Sequence, residues 1–396
     1  MGWTIQDILG AGLAAFLEER QVPGYVRRAA EALARCRTAV LGGHTKRCPR
    51  GHVEGIWYNS CRHRVCPQCS WGKVEEWLAA KRALLLPVDH YHVIFTIPRQ
   101  FRLFWQWNPR ELGELLFRVS AETLRCLLGE ERRLGAARPA WITALHTWGR
   151  TLVAHPHVHC LVAAGGLLPD GTWRAIENGY LLPFRQVRHV FRERFCEALS
   201  ALLRAGALEL PEDLCLDEAL RIVARARRRK WNVRLEAPYR HGEGVAVYLA
   251  RYLKGGPLKN RRLVGFDGRE VSFRYGDFRE ADGAGRPRSK VMRLSLPEFL
   301  GRLLLHVPPP GMQMVRSYGL YASKSREALE AARAVIEPSA EWAEAHRRLD
   351  RRHGPECAPR GPSCPVCGLA LVVVAESESA PGGIPPPLPA LSGLAP

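Results

Sequence analysis

The stretch His146-Thr-Trp-Gly-Arg-Thr-Leu-Val-Ala-His-Pro-His-Val-His-Cys-Leu-Val-Ala-Ala-Gly-Gly166 decides how this chain is read. The two segments it joins, residues 141–149 and 157–166, have the apolar density of strands, and the second is expected to end at the Gly165-Gly166 turn. Alternate side chains of a strand share a face. His157 and His159 therefore point the same way, while Val158 between them anchors the strand in the core. Two imidazoles on one face, with coordination positions left open, suit a divalent ion that must also grip a substrate phosphate. His155, on the same face, and His146, on the preceding strand, are the candidates for a third ligand. His90-Tyr91-His92 repeats the pattern at a strand start and ranks lower as the metal pair, though His92 can reach the same site.

Outward from this stretch, strands are expected at 90–98 and 231–238, with a hairpin over 262–275 turning at Asp267-Gly268. Helices are expected within 1–40, over 70–86 and from Asn108-Pro109 to Gly129, where Asn108 reads as an N-cap. Further helices are expected from about Phe184, then near 217–229, 244–256, 295–306 and 323–336. Strands and helices mix without strict alternation. The fold class is therefore α+β: an N-terminal helical and zinc-binding domain, then a larger domain with a central, largely antiparallel sheet flanked by helices. The expected divisions are 1–86, 87–336, a C-terminal extension over 337–374 and a disordered tail over 375–396 rich in Pro, Ser and Gly.

The 396 residues carry 58 Lys and Arg against 39 Asp and Glu, a net charge of +19 that points to a polyanionic partner, usually nucleic acid. No apolar run is long enough to span a membrane, and the opening MGWTIQDILGAGLAAFLEER reads as a helix rather than a leader.

Five of the twelve cysteines fall between Cys36 and Cys69, in a segment too poor in aliphatics to build its own core. Cys66-Pro-Gln-Cys69 is a knuckle that lets two thiolates meet one tetrahedral ion. Cys48 and His52 are spaced to supply the other pair, and Cys36, His44, Cys61 and His63 remain as further ligands, enough in principle for a second ion. The expected role is structural zinc. Cys364 and Cys367, with Cys357 and His353 nearby, form another candidate knuckle, while Cys126, Cys160, Cys196 and Cys215 read as core thiols.

In the helix expected over 244–256, Tyr248 and Tyr252 stand one turn apart on one face, among Arg251, Lys254, Lys259, Arg261 and Arg262. A phenol is a poor nucleophile at its usual pKa of about 10. Nearby cations and a polarised phosphate would make its attack feasible. The basic run Arg225–Lys230 reads equally as a phosphate-binding segment or a solvated helix face.

The order of these features, carried by CRTAVLGGH, YNSCRHRVCPQC, YHVIFTIP, LHTWGRTLVAHPHVHCLV and YLARYLKG, resembles the rolling-circle insertion-sequence transposases of the IS91 type, within the His-hydrophobic-His endonuclease superfamily. The resemblance implies that His157 and His159 hold a catalytic Mg²⁺ or Mn²⁺ and that Tyr248 and Tyr252 are the two nucleophiles. It implies single-stranded DNA at element ends and target as substrate, and a bacterial, cytoplasmic, nucleoid-associated protein. Without a GxxxxGK[ST] motif, strand separation is expected to need a host helicase. The family usually shows CxxCG where this chain has Cys48-Pro-Arg-Gly-His52, so His52 or His63 is the candidate to replace a lost thiolate. A plasmid relaxase or replication initiator with the same chemistry, and a zinc-ribbon DNA binder that does not cut, are the alternative readings.

Overall fold

The computed structural model describes residues 2–69, 80–81, 83–176, 179–238, 256–283, 286–338, 340, 342–344 and 362–378. Most of the helix expected over 70–86 and nearly all of the one over 244–256, with Tyr248, Tyr252 and Lys254, lie outside the described residues.

The chain begins with α1 (Ile5–Glu19), started by a capping box between Thr4 and Asp7, and α2 (Gly24–Ala34). A hairpin of β1 (Gly43–Arg47) and β2 (Glu54–Tyr58) follows. Then come β3 (His90–Thr96), α3 (Arg102–Trp107) and α4 (Pro109–Leu128). The long strands β4 (Arg138–Trp148) and β5 (Ala154–Leu167), with the short β6 (Trp173–Ala175), precede α5 (Phe184–Arg204), α6 (Leu216–Arg227) and β7 (Val233–Leu235). The last part carries β8 (Leu263–Phe266), β9 (Glu270–Asp277), β10 (Arg288–Ser295), α7 (Leu296–Leu304), β11 (Val315–Gly319), α8 (Arg326–Val335) and β12 (Val372–Ser377).

The central sheet has the order β11-β4-β5-β3-β7, with β6 beside β5, and its strand pairs are antiparallel. Period-two alternation gives β5 two different faces. Val158, Cys160 and Val162 enter one core with Phe95 of β3, Leu116 of α4, Phe191 of α5 and Trp231, which follows α6. On the other face, Leu161 and Ala163 pack with Ile142, Tyr321 and Leu329, the last from α8. Farther along that second face the residues change to imidazoles, so a single sheet surface runs from oil to ligand.

Three local expectations are corrected. The Gly-Gly pair does not end β5. The strand continues through it to pair with β6, and a Cβ on Gly165 would lie 2.5 Å from the Trp173 ring, so glycine there lets the indole cover the strand. Asn108 does not cap α4 through its side chain. Its amide instead donates to the carbonyls of Phe104 and Glu209 and accepts from the Glu209 amide, tying two loops together. Cys126 and Cys215 are exposed, whereas Cys160 and Cys196 are core thiols.

The described residues of 1–86 share their core with later parts of the chain. Ile5, Leu9 and Phe16 of α1 and Val26 and Leu33 of α2 pack with Leu258, Leu263, Phe273, Phe299 and Leu300. That core also takes in Cys36, Cys66 and Leu152. Leu152 sits at the tip of the β4–β5 hairpin with φ 63, a left-handed conformation that a leucine tolerates only when its surroundings enforce it. Its carbonyl accepts from His306 Nε2 at 2.9 Å, the Thr151 carbonyl from Arg302 and the Arg150 carbonyl from Arg262. β12 pairs with β1 and extends three residues past the expected start of the disordered tail. Among the described residues no helix is long and apolar enough to cross a membrane.

Candidate metal centre and cysteine clusters

Strand register builds the histidine cluster. In the β4–β5 pairing His146 lies directly opposite His157, and β3 pairs on the other side of β5. His146, His157 and His159 each bring one ring nitrogen to within 4.8 Å of the others, a separation that one ion can bridge. The cluster thus takes His146, from the neighbouring strand, and not His155. Pro156 does not break the strand, and the His155 carbonyl accepts the His157 Nδ1 proton at 2.5 Å. That bond fixes the His157 tautomer and leaves its Nε2 lone pair for a ligand. His159 Nδ1 is hydrogen-bonded to His92 Nε2 at 2.8 Å, which directs His159 Nε2 toward the cluster. His92 is therefore an outer neighbour of the site.

Burial holds the imidazoles neutral. It lowers the pKa of His157 and of His92 to about 4, and that of His146 and His159 well below the usual histidine value. Three neutral nitrogen donors within reach of one another fit a divalent transition ion, which needs unprotonated imidazole.

Two further buried histidines are structural. His90 donates from Nδ1 to the Val88 carbonyl and accepts the Tyr321 hydroxyl proton at Nε2, while Tyr321 accepts from the Leu86 amide. His306 donates to Leu152 and accepts from Thr147. Each is satisfied as a neutral ring, and burial lowers each to about 4. The unfolded chain, with histidines near 6.5, takes up these protons first, so stability is complete above about pH 6.5 and is lost as pH falls toward 4. Urea midpoints of the metal-free protein should drop across that window. His306→Gln should flatten the slope, and an unchanged slope in both His90 and His306 variants would refute the assignment.

The cysteine cluster resolves into two groups rather than the pairing the spacing suggested. Cys36, Cys61, Cys66 and Cys69 converge, with Cys61 and Cys69 sulfurs 3.6 Å apart and Cys36 and Cys66 sulfurs 3.5 Å apart. The Cys61 and Cys66 thiols draw Cys36 down to about 4, toward the thiolate that zinc binds. Cys48 and His52 instead meet Cys364 and Cys367. His44 and His63 join neither group: His44 lies 3.6 Å from Glu376 and His63 Nδ1 accepts from the Val65 amide. Of the two histidines that could stand in for a missing cysteine, His52 lies in a cysteine group and His63 does not.

The expected DNA-contact residues fall differently. Arg261 is exposed and Lys259 is half-buried, with burial lowering its pKa. Arg225, Arg228, Arg229 and Lys230 are exposed, whereas Arg227 pairs with Glu193. A groove that sequence reasoning missed is lined by Arg28, Arg35, Arg62, His44, Asn59 and Cys61, with one acid, Glu31, among them. Its arginines come from α2 and from the cysteine loop, so no single segment announces it.

Comparison with known proteins places this geometry. The family described as "Putative transposase" matches residues 141–328, and the "Transposase zinc-binding domain" matches residues 8–97. A Sinorhizobium fredii protein described as "Putative transposase y4qJ" is 40% identical over 306 residues, 76% of this chain and 75% of that protein. The transposase for insertion sequence element IS801 of Pseudomonas savastanoi pv. phaseolicola is 29% identical over 293 residues, 73% of this chain and 68% of that protein. The solved conjugative relaxase TrwC, in complex with oriT DNA, aligns with 64% of this chain and 96% of its own at 15% identity, but its TM-score of 0.23 establishes no shared fold. The zinc-binding domain, the transposase domain behind it and the extent of the identity to y4qJ together show that the chain belongs to the insertion-sequence transposases of the IS91 type.

Proposed function

We propose that this transposase cuts and rejoins single-stranded DNA through a tyrosine–phosphate bond, driving rolling-circle transposition of its element. The observation that carries the reading is the convergence of His146, His157 and His159 on one face of the central sheet. An ion held there, Mg²⁺ or Mn²⁺, would polarise the scissile phosphate, and nitrogen donors favour Mn²⁺ of the two. His157 and His159 present Nε2 to the site because their Nδ1 atoms are committed to the His155 carbonyl and to His92. Tyr248 or Tyr252 attacks the phosphorus. The phenol loses its proton, an oxygen–phosphorus bond forms to tyrosine, and the bond to the 3′ oxygen breaks, giving a 5′-phosphotyrosine and a free 3′-OH. The second tyrosine takes the later transfer at the other end or at the target, so bond energy is conserved without ATP.

The zinc-binding region is proposed to grip the element end, with the Arg28, Arg35 and Arg62 groove holding phosphates. Lys254, Lys259 and Arg261 are proposed to line the path to the tyrosines. The bacterial cytoplasm, at the nucleoid, is the proposed location, with a host helicase to separate strands.

The test is incubation with single-stranded element ends and Mn²⁺, followed by mass spectrometry of peptide–nucleotide adducts. The parent protein should give an adduct on Tyr248 or Tyr252, and Tyr248→Phe/Tyr252→Phe none. A covalent adduct persisting in the double variant would show that the nucleophile lies elsewhere.

A further inference from the structure

We propose that Cys48, His52, Cys364 and Cys367 bind a second zinc ion, which fastens the C-terminal segment onto the N-terminal hairpin. Two of these ligands fall outside the matched zinc-binding region of residues 8–97, and His52 and Cys364 are 312 residues apart in sequence.

The distances are those of a tetrahedral site. Cys48 Sγ lies 3.6 Å from Cys367 Sγ and 3.7 Å from His52 Nδ1, and Cys364 Sγ lies 3.8 Å from His52 Nδ1. A zinc–sulfur bond of about 2.3 Å places tetrahedral sulfurs about 3.7 Å apart, whereas a disulfide would bring them to about 2 Å. Each pair sits on a tight turn closed by a glycine amide, three residues after Cys48 in one and four after Cys364 in the other. In Cys48-Pro-Arg-Gly-His52 the Gly51 amide donates to the Cys48 carbonyl, and in Cys364-Pro-Val-Cys-Gly368 the Gly368 amide donates to the Cys364 carbonyl. Both glycines are left-handed, with φ 74 and 71, as such tight turns require. The first turn has glycine at the position that cysteine holds in the second, and the longer imidazole of His52, one residue on, reaches the same point.

The segment that follows needs such a fastening. All six residues of β12 are exposed, with Val372, Val373 and Val374 at 47%, 52% and 44%. A strand that buries so little apolar surface gains almost nothing from the hydrophobic effect, and its ladder bonds to β1 only replace bonds to water. By contrast Cys48 and Cys364 are buried, at 0% and 2%. The free energy that orders residues 362–378 therefore comes from the ion.

Zinc counted by inductively coupled plasma mass spectrometry on the full-length protein tests this. Two ions per chain are expected in the parent, one in Cys364→Ser/Cys367→Ser, and two in His52→Cys. Hydrogen exchange should show loss of amide protection over 43–47 and 372–377 in the double serine variant, with α1 and α2 unchanged. One zinc per parent chain, or two retained in the double serine variant, would overturn the proposal. Because the count in the parent requires no mutation and no DNA, its failure is distinct from failure of the nuclease reading.

Discussion

A His157→Ala protein is expected to bind element-end single strands as the parent does and to cut them at least about a thousandfold more slowly. The size follows from position. His157 sits on the central strand, opposite His146, with its Nδ1 committed to the His155 carbonyl, so the substitution removes an Nε2 that is already oriented for a ligand. Losing one of three imidazoles leaves two ligands, too few to hold the ion against water. His92→Ala should be gentler, about ten- to a hundredfold in metal affinity, because it removes only the group that orients His159. Rates of covalent adduct formation at several Mn²⁺ concentrations separate the two variants: excess metal should rescue His92→Ala and not His157→Ala. Parental cutting rates in His157→Ala would leave the histidine cluster without a catalytic role.

Cys66→Ala is expected to abolish cooperative folding of the N-terminal half. The Cys66 thiol is fully buried, 3.5 Å from Cys36, and accepts a hydrogen bond from the Gln6 side chain of α1 at 3.8 Å. A structural zinc contributes on the order of 10 kcal/mol, against a total stability of about 5–15 kcal/mol for a domain. Removing a ligand from inside a shared hydrophobic core therefore costs most of what keeps that core closed. Thermal unfolding followed by circular dichroism should show the first transition lost, and strong chelators should reproduce the effect on the parent. Cys126→Ser, at an exposed thiol, should be silent. A Cys66→Ala protein with the parental transition and zinc content would rule out a structural ion at this cluster.

Much of the central sheet was readable because its signals are local. The alternation through 155–162 places His157 and His159 on one face whatever the tertiary fold, and Val158 is fully buried as that alternation requires. His146 was reachable by one further step, since a short hairpin between two strands fixes which residues face each other. The division of the cysteines was not readable. Cys48 and Cys66 lie in one dense run, and spacing alone pairs them, whereas the fold sends them to different clusters and brings Cys364 from the far end of the chain. Chain separation leaves no trace in local periodicity. The sharing of one core by α1, α2 and the 258–307 region escaped notice for the same reason: amphipathic patterns show that a face is buried, not what buries it.

The left-handed Leu152 carries a consequence for how the two halves depend on each other. Its side chain is held by the same packed interior that encloses Cys36 and Cys66, while its hairpin sets the offset between the strands bearing His146 and His157. Loosening the cysteine-bound end would relax that tip, and an offset of one residue would turn one imidazole to the opposite face. If the histidine cluster is the proposed nuclease centre, zinc loss would reach it as a mechanical slip between two strands, and a molecule that has not finished folding around its cysteines would be unable to break DNA.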